Sequence, residues 1–335
     1  MRIIVQKFGG SSVADAECVR RVAGRVIQAY QNGFSPVVVV SAQGKTTDEL
    51  LRKAHEISPN PSGRELDMLL ATGEQASMAL LALAIQAQGF PAISMTGGQS
   101  GIHTDGHYNK AKIMDVQPDR ILRELEKGQI VIVAGFQGIN QEQDITTLGR
   151  GGSDTTAVAL AAGVKAEICE IYTDVDGVYS ADPRLVPNAI RLDEVAYDEM
   201  LEMASLGARV LHLRSVEIAK NHGVILHVRS SFHDRPGTLV KEVASMEQTP
   251  VVTGIAHDFN VAKITLLSVP DRPGVAAQLF TRLAEQGINV DMIIQSASRD
   301  GWNDISFTVE RSELSNVVRI TEEVCREVGA QSVAY

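Results

Sequence analysis

The sequence predicts an α/β protein, with a mostly parallel sheet covered by helices over residues 1–230 and a smaller βαββαβ unit over residues 261–335. Three observations carry that reading. Short apolar runs alternate with helical patterns from Arg2 to Arg229. Val37–Val40 is an unbroken run of valines, as expected for a strand buried on both faces. Beyond a polar, proline-broken stretch near Ser230, six elements follow in the order of a ferredoxin-like fold.

In order, Arg2–Phe8 reads as a strand ended by Gly9-Gly10, with Ser12 as N-cap of a helix from Val13 to Tyr30. The valine strand Val37–Ser41 precedes helices at Thr47–Glu56 and Arg64–Gln88. Further strands are expected at Pro91–Ser94, Ile130–Ala134, Glu167–Thr173 and Val224–Arg229. Helices are expected at Pro118–Glu126, Asp154–Ala162, Tyr197–Ala204 and Ala208–Asn221. Residues 231–260 read as a linker with a short strand at Gly237–Val240 and an orphan strand at Val251–His257. The last unit follows as strand Ala262–Val269, helix Pro273–Gln286, strands Asn289–Gln295 and Asp304–Val309, helix Ser312–Val328 and strand Gln331–Tyr335.

Composition narrows the classes of function. Lys and Arg total 31 against 41 Asp and Glu, a formal net charge of −10, which disfavours a reader of nucleic-acid phosphates. No apolar run reads as a membrane span, and the N-terminus enters a strand with no signal-peptide pattern, so a cytoplasmic protein is expected. Cys18, Cys169 and Cys325 lack metal-ligand spacing and read as free thiols.

Glycine-rich turns carry the candidate chemistry. Lys7-Phe8-Gly9-Gly10-Ser11 places a cation beside a helix start, an anion site that a plain tight turn also explains. Leu148–Thr156 packs three glycines, Arg150 and Asp154 around the start of a small-residue helix. Helix-end charge explains Asp154, but packing explains neither Arg150 nor the glycines. Thr173–Arg184 mixes turn residues with Tyr179; its acids resemble a calcium loop, but its glycine and closing-glutamate positions do not fit one. Gln43–Thr46 resembles the end of a Walker A loop, yet Val39 stands where the first glycine is required.

Together KFGGSS, TGEQ, GFQG, TTLGRGGSDTT and YTDVDGVYSADPR closely resemble the aspartate kinases of the amino-acid kinase family, and the tail KITLLSVPDRPGVAAQLF resembles an ACT domain. The resemblance implies the three-layer αβα kinase fold and MgATP-dependent phosphorylation of the aspartate β-carboxylate to 4-phospho-L-aspartate, the first step toward lysine, threonine and methionine. It implies ATP with Mg2+ held mainly through the phosphates. Lys7 and Asp154 take the catalytic roles, with Gly9, Gly10 and Ser11 around the phosphates. Arg150 is implied as the clamp for the α-carboxylate and Glu74 as the partner of the ammonium; read without the TGEQ match, Glu74 is better explained as a solvated helix charge. Ser41, Thr47, Gly151, Gly152 and Ser153 complete the substrate side. The nucleotide side matches Thr173, Asp174, Tyr179, Asp182, Arg184, Arg209 and Val210, with Arg209 where the family often has lysine. Lys45 is an extra charge in the loop after the valine strand and is expected in solvent.

In the ACT-like tail the resemblance implies a threonine or lysine effector site at Pro273, Gly274, Val275, Ala276, Gln278, Asn289, Asp291 and Gln295. Pro273 is also explained as the first residue of a helix. Relatives usually carry two ACT domains and one is visible here, which implies a homo-oligomer or a separate regulatory chain; Met246 resembles the internal start of such a chain. The rival readings are a silent amino-acid sensor and a kinase for another acidic substrate.

Overall fold

The computed structural model describes residues 1–208, 210–242, 252–298 and 300–335. Its elements begin β1 (Arg2–Phe8), α1 (Ala16–Gln31), β2 (Phe34–Val40), α2 (Thr46–Ile57), α3 (Arg64–Gln86) and β3 (Ala92–Met95). They continue β4 (Ile102–Thr104), β5 (Ile113–Val116), α4 (Asp119–Glu126), β6 (Ile130–Ala134), β7 (Gln137–Ile139), β8 (Ile145–Thr147) and α5 (Gly152–Gly163). Then come β9 (Ile168–Thr173), β10 (Glu194–Ala196), α6 (Tyr197–Ser205), α7 (Leu213–His222), β11 (Leu226–Ser230) and β12 (Thr238–Lys241). The last are β13 (Val261–Pro270), α8 (Val275–Glu285), β14 (Ile293–Gln295), β15 (Trp302–Glu310), α9 (Leu314–Val328) and β16 (Ser332–Ala334). The chain divides into two units, Met1–Ala256 and His257–Tyr335.

The larger unit is built on an eight-stranded sheet of order β10-β12-β11-β9-β1-β2-β6-β3. Only β11 and β12 pair antiparallel; the other pairs are parallel, so β1, β2, β6 and β9 end on one edge. Strand alternation assigns the two faces. Ile3, Val5, Val37 and Val39 pack with Ala157, Val158 and Leu160 of α5, while Phe8, Val38 and Val40 pack with α1 and α3. Both faces are covered, which gives the three-layer kinase-type architecture. α3 is long and apolar enough to cross a membrane by length and composition, but Leu70, Ala71, Leu81, Ala82 and Ile85 are buried in the protein.

A second sheet, β5-β4-β7-β8, escapes the sequence reading, as does β10. Its strands are three or four residues long, too short to show a period of two. The smaller unit is an antiparallel sheet of order β14-β15-β13-β16, with a core that includes Leu279, Leu283, Val317, Ile320 and Phe307. This is the ferredoxin-like arrangement expected of an ACT domain.

Three local expectations are corrected. Asp15, not Ser12, caps α1: its carboxylate accepts from Cys18 N at 2.8 Å, while Ser12 sits in a 3-10 turn against Ser231. Residues 252–257 form no strand; Thr253 donates to Glu199 and Ile255 N donates to Ser180 O, so side-chain and irregular backbone bonds take the place of a ladder. Val251 and Met246 lie outside the described residues. The stretch read as linker carries β12, which pairs with β10 and β11 in the main sheet.

Candidate active site

The alternation that buries Val5 against α5 also turns Lys7 that way, toward the first turn of the same helix. Lys7 Nζ lies 2.7 Å from Asp154 Oδ1, with both side chains mostly buried (11% and 14% exposed). A pair this sheltered keeps much of its Coulomb attraction and holds the ammonium in one place. Just beyond, Ser12 N donates to Gly9 O, whereas the N–H groups of Gly10 and Ser11 donate to no protein acceptor among the described residues. Gly10 admits no side chain, since a Cβ would stand 2.7 Å from Ala42 O. Two free donors beside a fixed ammonium, at the carboxyl edge of a parallel sheet, suit phosphate oxygens.

Across this edge, β2 leads into Ser41, whose N–H donates to Phe8 O at 3.1 Å. Ala42 N then donates to Glu74 Oε1 at 3.1 Å. Glu74 is 3% exposed, its Oε2 has no partner among the described residues, and burial pushes its pKa up to about 7. The solvated-charge alternative is therefore excluded by its burial. An uncompensated carboxyl in a dry place is poised to receive a cation or a hydrogen-bond donor. Thr47 lies in the first turn of α2, and Lys45 is exposed, as expected.

The glycine-rich loop closes the third side. Gly151 has φ +69° and a Cβ there would strike the ring of His212; at Gly152 it would strike Phe136. Ser153 packs against Gly135, the residue after β6, where a Cβ would stand 2.8 Å from Ser153 Oγ. Arg150 is exposed and its side chain makes no hydrogen bond or ion pair among the described residues, leaving its planar fork available. Phe136 itself is held at φ +68°, a conformation uncommon outside glycine, with its N–H near Thr156 Oγ1 at 3.1 Å.

The nucleotide-side residues are less tightly gathered. Thr173, at the end of β9, bonds Asp174; Tyr179 donates to Asp176, which also takes Arg235 at 2.6 Å. Arg184 pairs with Asp182 at 2.8 Å and is 88% exposed. Val210 is half-buried, and Arg209 lies outside the described residues. Among the described residues no group of three or more His, Cys, Asp or Glu is placed to hold a metal.

In the smaller unit, Pro273, Gly274, Val275, Ala276 and Gln295 line a cavity of about 320 Å³ with Asn303 and Ile305. Helix α8 starts after Gly274, whose φ of +98° makes it the cap, so Pro273 is not the first helical residue. Gln278, Asn289 and Asp291 do not line the cavity: Gln278 donates to Glu327 and Asn289 to Asp291.

Sequence reasoning missed Asp67, His212 and Arg214. Asp67 is fully buried and accepts from Asn109 and Thr147; Arg214 donates to Leu148 O at 2.7 Å and Ala111 O at 3.0 Å; His212 abuts Gly151. The one available signal was the seven-residue step from Asp67 to Glu74, which puts both on one helix face.

The chain is similar to known proteins over its whole length. The amino acid kinase family model matches residues 2–230 and the ACT domain model residues 263–329. An aspartokinase of Mycolicibacterium smegmatis is 52% identical over 342 residues, covering 100% of this chain and 81% of that protein. The aspartate kinase structure from Synechocystis aligns with TM-score 0.67 and 47% identity over 99% of this chain, which spans 58% of that one. E. coli aspartokinase III in complex with aspartate and ADP aligns with TM-score 0.80 at 28% identity, over 99% of this chain and 85% of that one. Its complex with lysine and aspartate aligns with TM-score 0.78.

Proposed function

The chain belongs to the amino acid kinase family as an aspartokinase, and from that premise we propose that it transfers the γ-phosphoryl group of ATP to the β-carboxylate of L-aspartate, giving 4-phospho-L-aspartate. The observation that carries the proposal is the buried Lys7–Asp154 pair facing free N–H groups of Gly10 and Ser11, with the uncompensated Glu74 nearby along the chain's own contacts to Ala42.

Phosphoryl transfer between oxyanions needs positioning and neutralisation more than a base, because the attacking carboxylate is already ionised near neutral pH. Lys7 supplies a fixed positive charge for the transferring group, and Asp154 fixes the direction of that ammonium. Gly10 and Ser11 cradle phosphate oxygens through their backbone N–H groups, whereas the Gly9 N–H, expected to join them, is donated to Tyr172 O at 3.4 Å. Mg2+ would supply further charge neutralisation when bound, held mainly through the ATP phosphates. Arg150 takes the α-carboxylate and Glu74 the ammonium, while Ser41, Thr47, Gly151, Gly152 and Ser153 shape the rest of the pocket. Thr173, Asp174, Tyr179, Asp182, Arg184, Arg209 and Val210 form the nucleotide side.

The domain reading that accompanies this function is a kinase domain that runs past residue 230 to include β12, followed by an ACT domain over 261–335. The cavity beside Pro273–Ala276 is proposed to take lysine or threonine as feedback effector, in a cytoplasmic oligomer partly held by its ACT domains. The structure of E. coli aspartokinase III in complex with lysine and aspartate supports lysine as a ligand.

The test is ATP-dependent acyl-phosphate formation trapped with hydroxylamine, with L-aspartate and L-glutamate as rival substrates. Aspartate hydroxamate from the wild type and none from Lys7→Ala is expected. Preference for glutamate would overturn the substrate, and hydroxamate from neither would favour an amino-acid sensor.

A further inference from the structure

Helix α3 carries two buried carboxyl groups seven residues apart, Asp67 (0% exposed) and Glu74 (3% exposed). At 1.5 Å per residue that is about 10 Å along one helix face. Glu74 meets the loop after β2 through Ala42 N. Asp67 meets the glycine-rich loop: it accepts from Thr147 N at 2.9 Å and from Thr147 Oγ1 at 2.6 Å. It also accepts from Asn109 N at 2.9 Å and Asn109 Nδ2 at 2.5 Å, and Asn109 is held at φ +67°.

The same two segments are clipped from their carbonyl sides by Arg214, which donates to Leu148 O and to Ala111 O. Ala111 N in turn donates to Thr147 O at 2.9 Å, and the backbone of Gly149 lies against Asn109 O. A buried anion thus collects N–H and O–H donors while a cation collects C=O acceptors from the same pair of segments. Charge-assisted bonds of this kind are the strong ones, and buried charges are retained only when so satisfied. Arg150 follows Thr147 by three residues, on the loop that this clip immobilises.

We propose that Asp67, with Arg214 opposite it, is a positioning residue for substrate specificity: it sets the place of the Arg150 loop relative to Glu74, so that helix α3 fixes the separation of the α-carboxylate and ammonium subsites. This rests on Arg150 and Glu74 being the two ends of the aspartate clamp.

Aspartate without its ammonium is succinate, and aspartate without its α-carboxylate is β-alanine, so the two subsites are read separately. Competitive inhibition by each is measured against aspartate in wild type, Asp67→Asn and Glu74→Gln. In Asp67→Asn the inhibition constant for succinate and the KM for aspartate rise about tenfold, while β-alanine and the KM for ATP stay within about twofold. In Glu74→Gln the pattern inverts: β-alanine weakens and succinate does not. If Asp67→Asn does not fold, Thr147→Val, which deletes one donor, carries the same comparison with a smaller shift of the same selectivity. Equal weakening of succinate and β-alanine in the clip variant overturns the proposal, because general loosening has no preference between ends; so does no change in either. Failure of the functional reading itself looks different: the wild type then makes no acyl phosphate from aspartate.

Discussion

Two turns of this chain lead from a strand into a helix with glycine at the corner, and they are equipped differently. After β1, the backbone donors of Gly10 and Ser11 stand beside a sheltered ion pair, Lys7–Asp154 at 2.7 Å. After β13, Pro273–Ala276 opens a cavity of about 320 Å³ lined also by the exposed Asp271 and Arg272, and its buried Asn303 has Oδ1 unpaired among the described residues. Both offer polar and charged groups to a ligand, but the charged residues of the second turn are exposed, whereas the first holds a sheltered ion pair in place. Transferring a phosphoryl group requires neutralisation already oriented before the reaction, whereas sensing an amino acid requires shape and exchangeable hydrogen bonds.

That contrast breaks most visibly at Lys7. Lys7→Ala is expected to lower kcat by about 10²–10³-fold, measured by coupled ADP release, without changing effector binding measured by calorimetry. Glu74→Gln comes next, with the KM for aspartate raised roughly 10–100-fold and that for ATP little changed.

Glu74 also gives the contrast a pH signature. Its pKa is raised from 4.5 to about 7 by burial, so the free protein holds it neutral below that range. The contribution of the neutral carboxyl to stability is fully present below pH 4.5 and is lost as pH rises through about 7. An ammonium ligand selects the ionised form, so aspartate affinity moves the other way and increases with pH through about 7. Denaturation midpoints and the KM for aspartate across pH 5–9 should show these opposed trends in the wild type and neither in Glu74→Gln.

At the sensing turn, Ala276→Trp fills the cavity and is expected to raise the half-inhibiting concentration of lysine or threonine about tenfold or more, with the uninhibited rate kept. The smallest effect is expected at the exposed Arg184: Arg184→Ala should change the KM for ATP by less than about threefold, as for a solvated ion pair.

The same contrast explains what was legible in the sequence. Lys7 was readable because an apolar strand runs there into two glycines, and Arg150 because packing does not explain an arginine among three glycines. Glu74 was ambiguous, since a carboxylate on a helix is ordinary until its burial is known. Asp67 was invisible for a stronger reason: an acid in the first turn of a helix already satisfies the helix dipole, and Glu65 beside it does so in solvent. The β4, β5, β7 and β8 sheet, which positions both loops clipped by Asp67, is built from strands too short for periodicity. The connection at 252–257 was misread because an apolar run bonded irregularly to Ser180 and Glu199 has the composition of a strand.

The most direct measurement is phosphorus NMR of the wild-type protein with MgATP and L-aspartate, without a trapping agent. An acyl-phosphate resonance growing with ADP, absent in Lys7→Ala, is the predicted result. ADP and inorganic phosphate appearing with no acyl phosphate, or an acyl-phosphate signal undiminished in Lys7→Ala, would contradict the assignment of chemistry to the β1 turn.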